Sequence, residues 1–393
     1  MSGRASSARA DRRGELLVAA AAVLSVLTVL ECGFRVQAWR TNRRTFDRVK
    51  ARAQPPAKGA RVRLGHMIRP SSNPRIVYEL WPGMDVLFDE SGKGAGSRVR
   101  TSAAGFRDRD YPVHKPPGTR RLIGIGDSLM FGWGVDQGLD YLSVLELRLD
   151  GNAGQGSWQV LNTAVPGYNL AMEVETLKTK GLPYRPDVVV VGFCPNDASL
   201  PNFILPGRDV LSLRESFLAG FVRGRLRPPL ETADALIAAP RRADDRAFED
   251  DPRRAPEPYR EITGWDAFGQ AMAELKRLGE IHGFRTIVVA FVPGFDDPRK
   301  SRGLEVARAV GLTVMDVGRT ETEYMRTHGI GEYLGSALTV SADDPHPSAL
   351  AHELAAEDLL RELAREGLLD RAPSRGPAAR DSFTSLGRPV SGP

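Results

Sequence analysis

Four short stretches of this chain carry side chains that together perform acyl transfer. Gly126-Asp127-Ser128 closes an apolar run that starts after Arg121, Asn162-Thr163-Ala164-Val165-Pro166-Gly167 follows a second such run, Cys194-Pro195-Asn196-Asp197 ends a third, and Asp343-Asp344-Pro345-His346 precedes the last helical stretch. A serine hydroxyl becomes a nucleophile when a histidine takes its proton, an acid holds that histidine's tautomer, and donors face the developing oxyanion. Each role has a candidate. Ser128 is the nucleophile, and His346 takes its proton and returns it to the leaving alcohol. Asp343, three residues before His346, is the orienting acid by spacing, with Asp344 as the alternative. The Ser128 and Gly167 amides and the Asn196 side chain form the oxyanion hole, Gly167 being useful because no side chain blocks its backbone. Trp133 and Tyr168 are candidates to stack on a sugar face, weighed against plain loop packing.

Taken singly these features are ordinary. A serine after a strand is usually a turn or cap, and an Asn-Asp pair is usually a turn. Their order, all at strand ends or in loops of one sheet edge, is what joins them into a site. Asp127 and Asp197 read as loop braces through local hydrogen bonds, and His352 as structural. Gly124-Ile125-Gly126 opens a dinucleotide fingerprint but the next required glycine is Leu129, so that reading fails. The remaining histidines lack metal-ligand spacing.

The elements that must position these groups follow from hydrophobic pattern. Strands are expected at 122–125, 158–161, 187–193, 285–292 and 312–317, separated by helical stretches. One helix shows its period in Trp265, Phe268, Met272, Leu275 and Leu278, with Thr263 and Asp266 as a capping box. Another starts at Tyr141 and runs to Leu149. Strands alternating with helices predict an α/β fold: a doubly wound, five-stranded parallel sheet covered on both faces. Open sheets of that kind bind ligands outside the carboxyl ends of their strands.

The chain has 393 residues and a formal charge of +5, much of it from arginines near the N-terminus and in a loop-like middle segment. That distribution makes no stripe on the core, so nucleic acid is not an expected partner. Segment 1–15 is basic, and an uncharged run from Leu16 to Leu30 gives way to Glu31-Cys32-Gly33-Phe34-Arg35. Residues 16–39 are expected to form a transmembrane signal anchor, with Glu31 and Arg35 spaced to pair at the interface; cleavage after Val36-Gln37-Ala38 is the rival reading. Seven basic residues from Arg35 to Arg52 outnumber the four before the span, which by the positive-inside rule would keep the following domain in the cytoplasm. A basic linker spans 40–63, a β-like lead-in 64–119 has candidate strands at 75–80 and 85–89, and the main domain covers 120–370. The domain is interrupted by a Pro- and Arg-rich insertion at 198–262, readable as a lid or as a surface excursion, and 371–393 reads as a disordered tail.

The four blocks, in this order, resemble the SGNH or GDSL hydrolases, over roughly Arg120 to Leu369. Block one stands as Gly126-Asp127-Ser128-Leu129-Met130-Phe131-Gly132 and the last as Asp343-Asp344-Pro345-His346-Pro347-Ser348. Where the family usually has glycine, this chain has Cys194 before the third-block asparagine and Ala351 near the final histidine. The resemblance implies a flavodoxin-like fold and an esterase or acyl-transfer activity on carbohydrate, lipid or small esters, probed most simply as removal of acetyl groups. It implies no metal and no nucleotide cofactor. The chain looks most like membrane-anchored bacterial members, whose lead-in ends near Ala104-Gly105-Phe106-Arg107-Asp108 and whose catalytic domain works outside the cytoplasm, here the periplasm. An O-acetyltransferase acting on an envelope polysaccharide is the nearest alternative, and a non-catalytic polysaccharide-binding or assembly protein the second.

Overall fold

The computed structural model describes residues 15–37, 54–92, 96–150, 157–201, 216–226, 249–255, 257–291 and 297–369. The basic start, most of the 40–63 linker, much of the 198–262 insertion and the 371–393 tail lie outside the described residues.

The end of the linker and the lead-in build five short strands: β1 (Arg61–Val62), β2 (Ile68–Pro70), β3 (Tyr78–Leu80), β4 (Asp85–Phe88) and β5 (Ser97–Arg100). β1, β4 and β5 form one small sheet and β2 and β3 pair antiparallel. The main domain supplies β6 (Thr119–Gly126), β7 (Ser157–Asn162), β8 (Val188–Phe193), β9 (Arg285–Ala290) and β10 (Thr313–Asp316). These five are parallel throughout and ordered β7-β6-β8-β9-β10, the doubly wound flavodoxin-like order, which reverses direction between β6 and β8.

Period-two side-chain direction explains why both faces are covered. Leu122, Val188, Val190, Ile287 and Val289 point into one core with the Tyr141–Asp150 and Ala349–Arg365 helices and the lead-in. Their chain neighbours Ile123, Ile125, Val189, Val191 and Val288 point into the other, with the Leu170–Thr176, Trp265–His282 and Pro298–Ala309 helices. A strand such as Val188-Val-Val-Val-Gly-Phe193, buried along its whole length, is stable only between two such layers.

The Trp265–His282 helix buries the expected stripe and stops at Gly283, whose φ of 78° makes the left-handed cap. Its start departs from expectation. Gly264 occupies the cap position with no side-chain bond, and Thr263 Oγ1 donates instead to the Tyr259 carbonyl at 2.8 Å. The Thr263–Asp266 capping box does not form because the hydroxyl closes the preceding turn. The N-terminal apolar segment is a 23-residue helix, Glu15–Gln37, long and apolar enough to cross a membrane and exposed along its whole apolar run. Arg35 Nε bonds Glu31 Oε1 at 2.8 Å within it.

Candidate active site

β6 ends at Gly126 and the backbone turns at once into a four-residue helix, Ser128–Phe131. Asp127 caps that helix, its side chain accepting the Leu129 N–H at 3.0 Å. Gly126 lets the helix fold back over the strand, because a Cβ there would stand 2.7 Å from the Met130 Cβ. Ser128 therefore sits half-buried at the carboxyl end of β6, beside the point where strand order reverses.

A fully buried arginine from the lead-in holds this short helix. Arg107 Nη1 donates to the Phe131 carbonyl and, at 2.8 Å, to Gly132 O, while Nη2 reaches Val135 O at 2.7 Å. Its guanidinium also lies 4.6 Å from the Phe131 ring centroid. Asn162 Nδ2 donates to Met130 O at 3.0 Å and Asp140 Oδ1 at 3.1 Å. Sequence reading missed Arg107: an arginine in a loop carries no local sign that its donors are used by carbonyls 24 to 28 residues away.

His346 Nε2 lies 2.9 Å from Ser128 Oγ, and His346 Nδ1 lies 2.6 Å from Asp344 Oδ1. With a carboxylate accepting at Nδ1, the neutral imidazole keeps its proton there, leaving Nε2 to accept from the serine hydroxyl. The carboxylate on the ring is that of Asp344, which corrects the expectation for Asp343. Asp344 Oδ1 also accepts the His346 backbone N–H at 3.0 Å, folding the Asp-Pro-His turn so that its carboxylate faces the ring. Asp343, one residue back, is exposed, and its backbone N–H bonds Ser341 Oγ at 3.3 Å. Burial works to raise the Asp344 pKa, but the hydrogen bonds and charge of His346, with a further bond from Trp133, outweigh it and hold the carboxyl below the usual carboxylate range. All three groups keep solvent access, the histidine and aspartate side chains being 23% and 29% exposed.

The three oxyanion candidates lie on the loops after β6, β7 and β8. Among the described residues, neither the Ser128 nor the Gly167 amide donates to another protein group. Gly167 has φ 78°, a left-handed conformation that glycine adopts without strain. Its loop is braced: Tyr78 Oη donates to Pro166 O at 3.0 Å, and Asn169 Nδ2 donates to Ser199 O at 2.9 Å and Ile262 O at 2.7 Å, pinning both ends of the insertion. Asn196 Nδ2 donates to Asp127 Oδ2 at 3.1 Å, and among the described residues its second N–H has no other acceptor. Asp197 braces the same turn by accepting the Cys194 N–H at 3.0 Å.

The two candidate sugar-stacking aromatics have other contacts. Tyr168 is 1% exposed, donates its hydroxyl to the Tyr78 carbonyl, and meets the Tyr78 ring edge-on at 5.2 Å. It packs the loop and presents no face to a substrate, a correction that follows from the lead-in covering it. Trp133 Nε1 donates to Asp344 Oδ2 at 2.9 Å, and its ring stacks on His346 with centroids 4.8 Å apart and planes at 19°. Phe88 of β4 meets the indole edge to face, with ring centroids 4.6 Å apart. His352 is fully buried between Tyr141 and Phe291, and burial, with the charges of Arg107 and His346, pushes its pKa down to about 3, so it is neutral.

No protein-family model matches the chain, and neither does any curated protein. Among solved structures it is similar to an acetyl xylan esterase from Geobacillus stearothermophilus, 15% identical over 63% of this chain and 96% of that one with a TM-score of 0.39. A lipase/acylhydrolase from Enterococcus faecalis is 20% identical over 63% and 96% with a TM-score of 0.38. An alpha/beta hydrolase enzyme from the metagenome of Lake Arreo, Spain, is 17% identical over 65% and 99% with a TM-score of 0.39. Likeness at that level adds nothing to the chemistry of the site, which rests on its own geometry.

Proposed function

We propose that this protein is a serine esterase of the SGNH type that removes O-acyl groups, acetyl above all, from a carbohydrate or small ester through an acyl-Ser128 intermediate. The observation that carries this reading is the continuous hydrogen-bonded path from Asp344 through His346 to Ser128 Oγ. Oγ attacks the acyl carbonyl carbon as its proton passes to His346 Nε2, and the oxyanion is met by the Ser128 and Gly167 amides and the Asn196 amide group. His346 then protonates the leaving alkoxide oxygen, the C–O bond breaks, and the acyl group stays on Ser128. Water, deprotonated by His346, releases the acid and restores the serine. The carbohydrate substrate class follows from the resemblance of the four sequence blocks. A single-pass anchor at the N-terminus, with the catalytic domain outside the cytoplasm, completes the reading.

The direct test is turnover of a short-chain aryl acetate and of an acetylated oligosaccharide by the full-length protein beside Ser128→Ala and His346→Ala. Hydrolysis by the wild type, reduced roughly 10⁴-fold or more in either variant, is expected. A folded wild type that hydrolyses neither would move the chemistry to a dedicated acyl acceptor other than water, or end the catalytic reading.

A further inference from the structure

The Phe217–Leu226 helix, which lies inside the insertion, docks on the last turns of the Glu15–Gln37 helix. Glu31 Oε1 accepts the Phe217 N–H at 2.9 Å, and Oε2 accepts the Leu218 N–H at 2.8 Å and the Ser216 hydroxyl at 2.9 Å. The carboxylate of one helix thus closes the open N-terminal amides of the other, a favourable pairing with the helix dipole. Arg35 pairs with the same carboxylate at 2.8 Å, and its guanidinium lies 4.8 Å from the Phe217 ring centroid. The Phe34 and Phe221 rings lie 4.5 Å apart.

A charged residue at the edge of an apolar helix is costly unless its bonds are satisfied, and this socket satisfies Glu31 with three donors and a guanidinium. The uncharged run ends at Leu30, and at 1.5 Å per residue its fifteen residues rise about 22 Å, short of the ~30 Å hydrocarbon core. The turns that carry Glu31, Phe34 and Arg35 therefore belong at the edge of the bilayer, where aromatic side chains are favoured. The docked helix shares that depth. Its apolar residues Phe217, Leu218, Phe221 and Val222 are spaced to share a side, and Phe221 and Val222 remain 44% and 46% exposed, with Phe221 at the level of Phe34.

We propose that the Phe217–Leu226 helix is a second membrane contact, seated in the headgroup interface of a phospholipid bilayer at the catalytic-domain end of the anchor. The proposal rests on the reading of Glu15–Gln37 as an anchor that is not cleaved. It makes the insertion a tether that holds the domain to the membrane surface at two places in the chain.

The test uses the full-length protein in vesicles of phosphatidylcholine and phosphatidylglycerol, with Cys32→Ser and Cys194→Ser as background. A polarity-sensitive fluorophore is placed by Val222→Cys, by Leu24→Cys in the span, or by Glu280→Cys on the exposed face of the Trp265–His282 helix. Quenching at 222 by lipids brominated near the headgroup end of the acyl chain is expected, with deep lipid quenching at 24 and only aqueous iodide quenching at 280. Adding Glu31→Ala is expected to lower the lipid quenching at 222 about twofold or more, the scale of a lost helix cap. If 24 is lipid-quenched while 222 answers only to iodide, the anchor stands and the second contact is wrong. Shielding of 222 from both quenchers would assign the patch to a protein surface, which also overturns the proposal. A water-exposed 24 would overturn the anchor and the second contact together.

Discussion

Trp133 Nε1 donates to Oδ2 of Asp344 at 2.9 Å, while Oδ1 of the same carboxylate meets His346 Nδ1 at 2.6 Å. The indole also stacks on the imidazole, so one side chain fixes both the acid and the base. Trp133→Phe keeps the stacking ring and removes the donor to a charged group, a bond worth about 1.5–3 kcal/mol. A fall in kcat of roughly tenfold to a hundredfold, with KM little changed and the same factor for an aryl acetate and a sugar ester, is the expected result in steady-state assays. A change confined to the KM of the sugar ester would instead make Trp133 a sugar platform.

Asp344 and Asp343 separate cleanly by substitution. Asp344→Asn should lower kcat by roughly 10⁴-fold because the ring loses the acceptor that fixes its tautomer. Asp343→Asn, at an exposed position without contact to the ring, should stay within about threefold of wild type. Because the Asp344 pKa is held below the ordinary value, its ionised form stabilises the fold above that value, and the contribution is lost only as pH falls through the lowered one.

Arg107 gives a stability prediction. Arg107→Leu would leave the carbonyls of Phe131 and Val135 without their buried donor and Gly132 O with only the Val135 N–H at 3.3 Å, at about 1–3 kcal/mol for each group deprived. Chemical denaturation should show a loss of at least about 3 kcal/mol, and any folded fraction should bind substrate analogues poorly because the serine helix is no longer clamped. Wild-type stability in this variant would show that the clamp is dispensable.

Glu321 is fully buried, and neither carboxyl oxygen has a hydrogen-bond partner among the described residues. Burial, with repulsion from Asp358 and Asp316 and against the pull of Lys300, pushes its pKa up to about 8 from an ordinary 4.5. The folded state therefore holds a proton that the unfolded chain releases, so stability falls as pH rises from 4.5 toward 8. Glu321→Gln should match wild type in acid and exceed it at alkaline pH, by on the order of 5 kcal/mol. Melting curves at both ends of that range check the sign, and equal destabilisation at both would contradict it.

The alternation of apolar runs exposed all five core strands, because burial between two helical layers demands continuous apolar sequence. β6 nevertheless begins at Thr119, before the expected Leu122. Arg120 and Arg121 are buried strand residues whose guanidiniums bond carbonyls, Arg120 at Leu369 and Arg121 at Val113 and Tyr184. A hydrophobic pattern reads such residues as solvent-facing. The serine, Gly167 and Asn196 stood out by order along the chain, since each follows a strand on one edge, and the histidine by its place just before the last helix. The choice between adjacent aspartates did not, because a turn closed by one backbone bond decides which carboxylate faces the ring. Tyr168 failed as a substrate wall for a related reason: its cover, Tyr78, comes from a lead-in about 90 residues away.

The measurement that bears most directly on the account is covalent trapping. The full-length protein is incubated with a fluorophosphonate, digested, and mapped by mass spectrometry. A single phosphonylated peptide modified at Ser128, absent in Ser128→Ala and much reduced in His346→Ala and Asp344→Asn, is the expected result. Modification of a different residue, or an unmodified Ser128 in folded protein, would contradict the assignment of Ser128 as the acyl-carrying nucleophile.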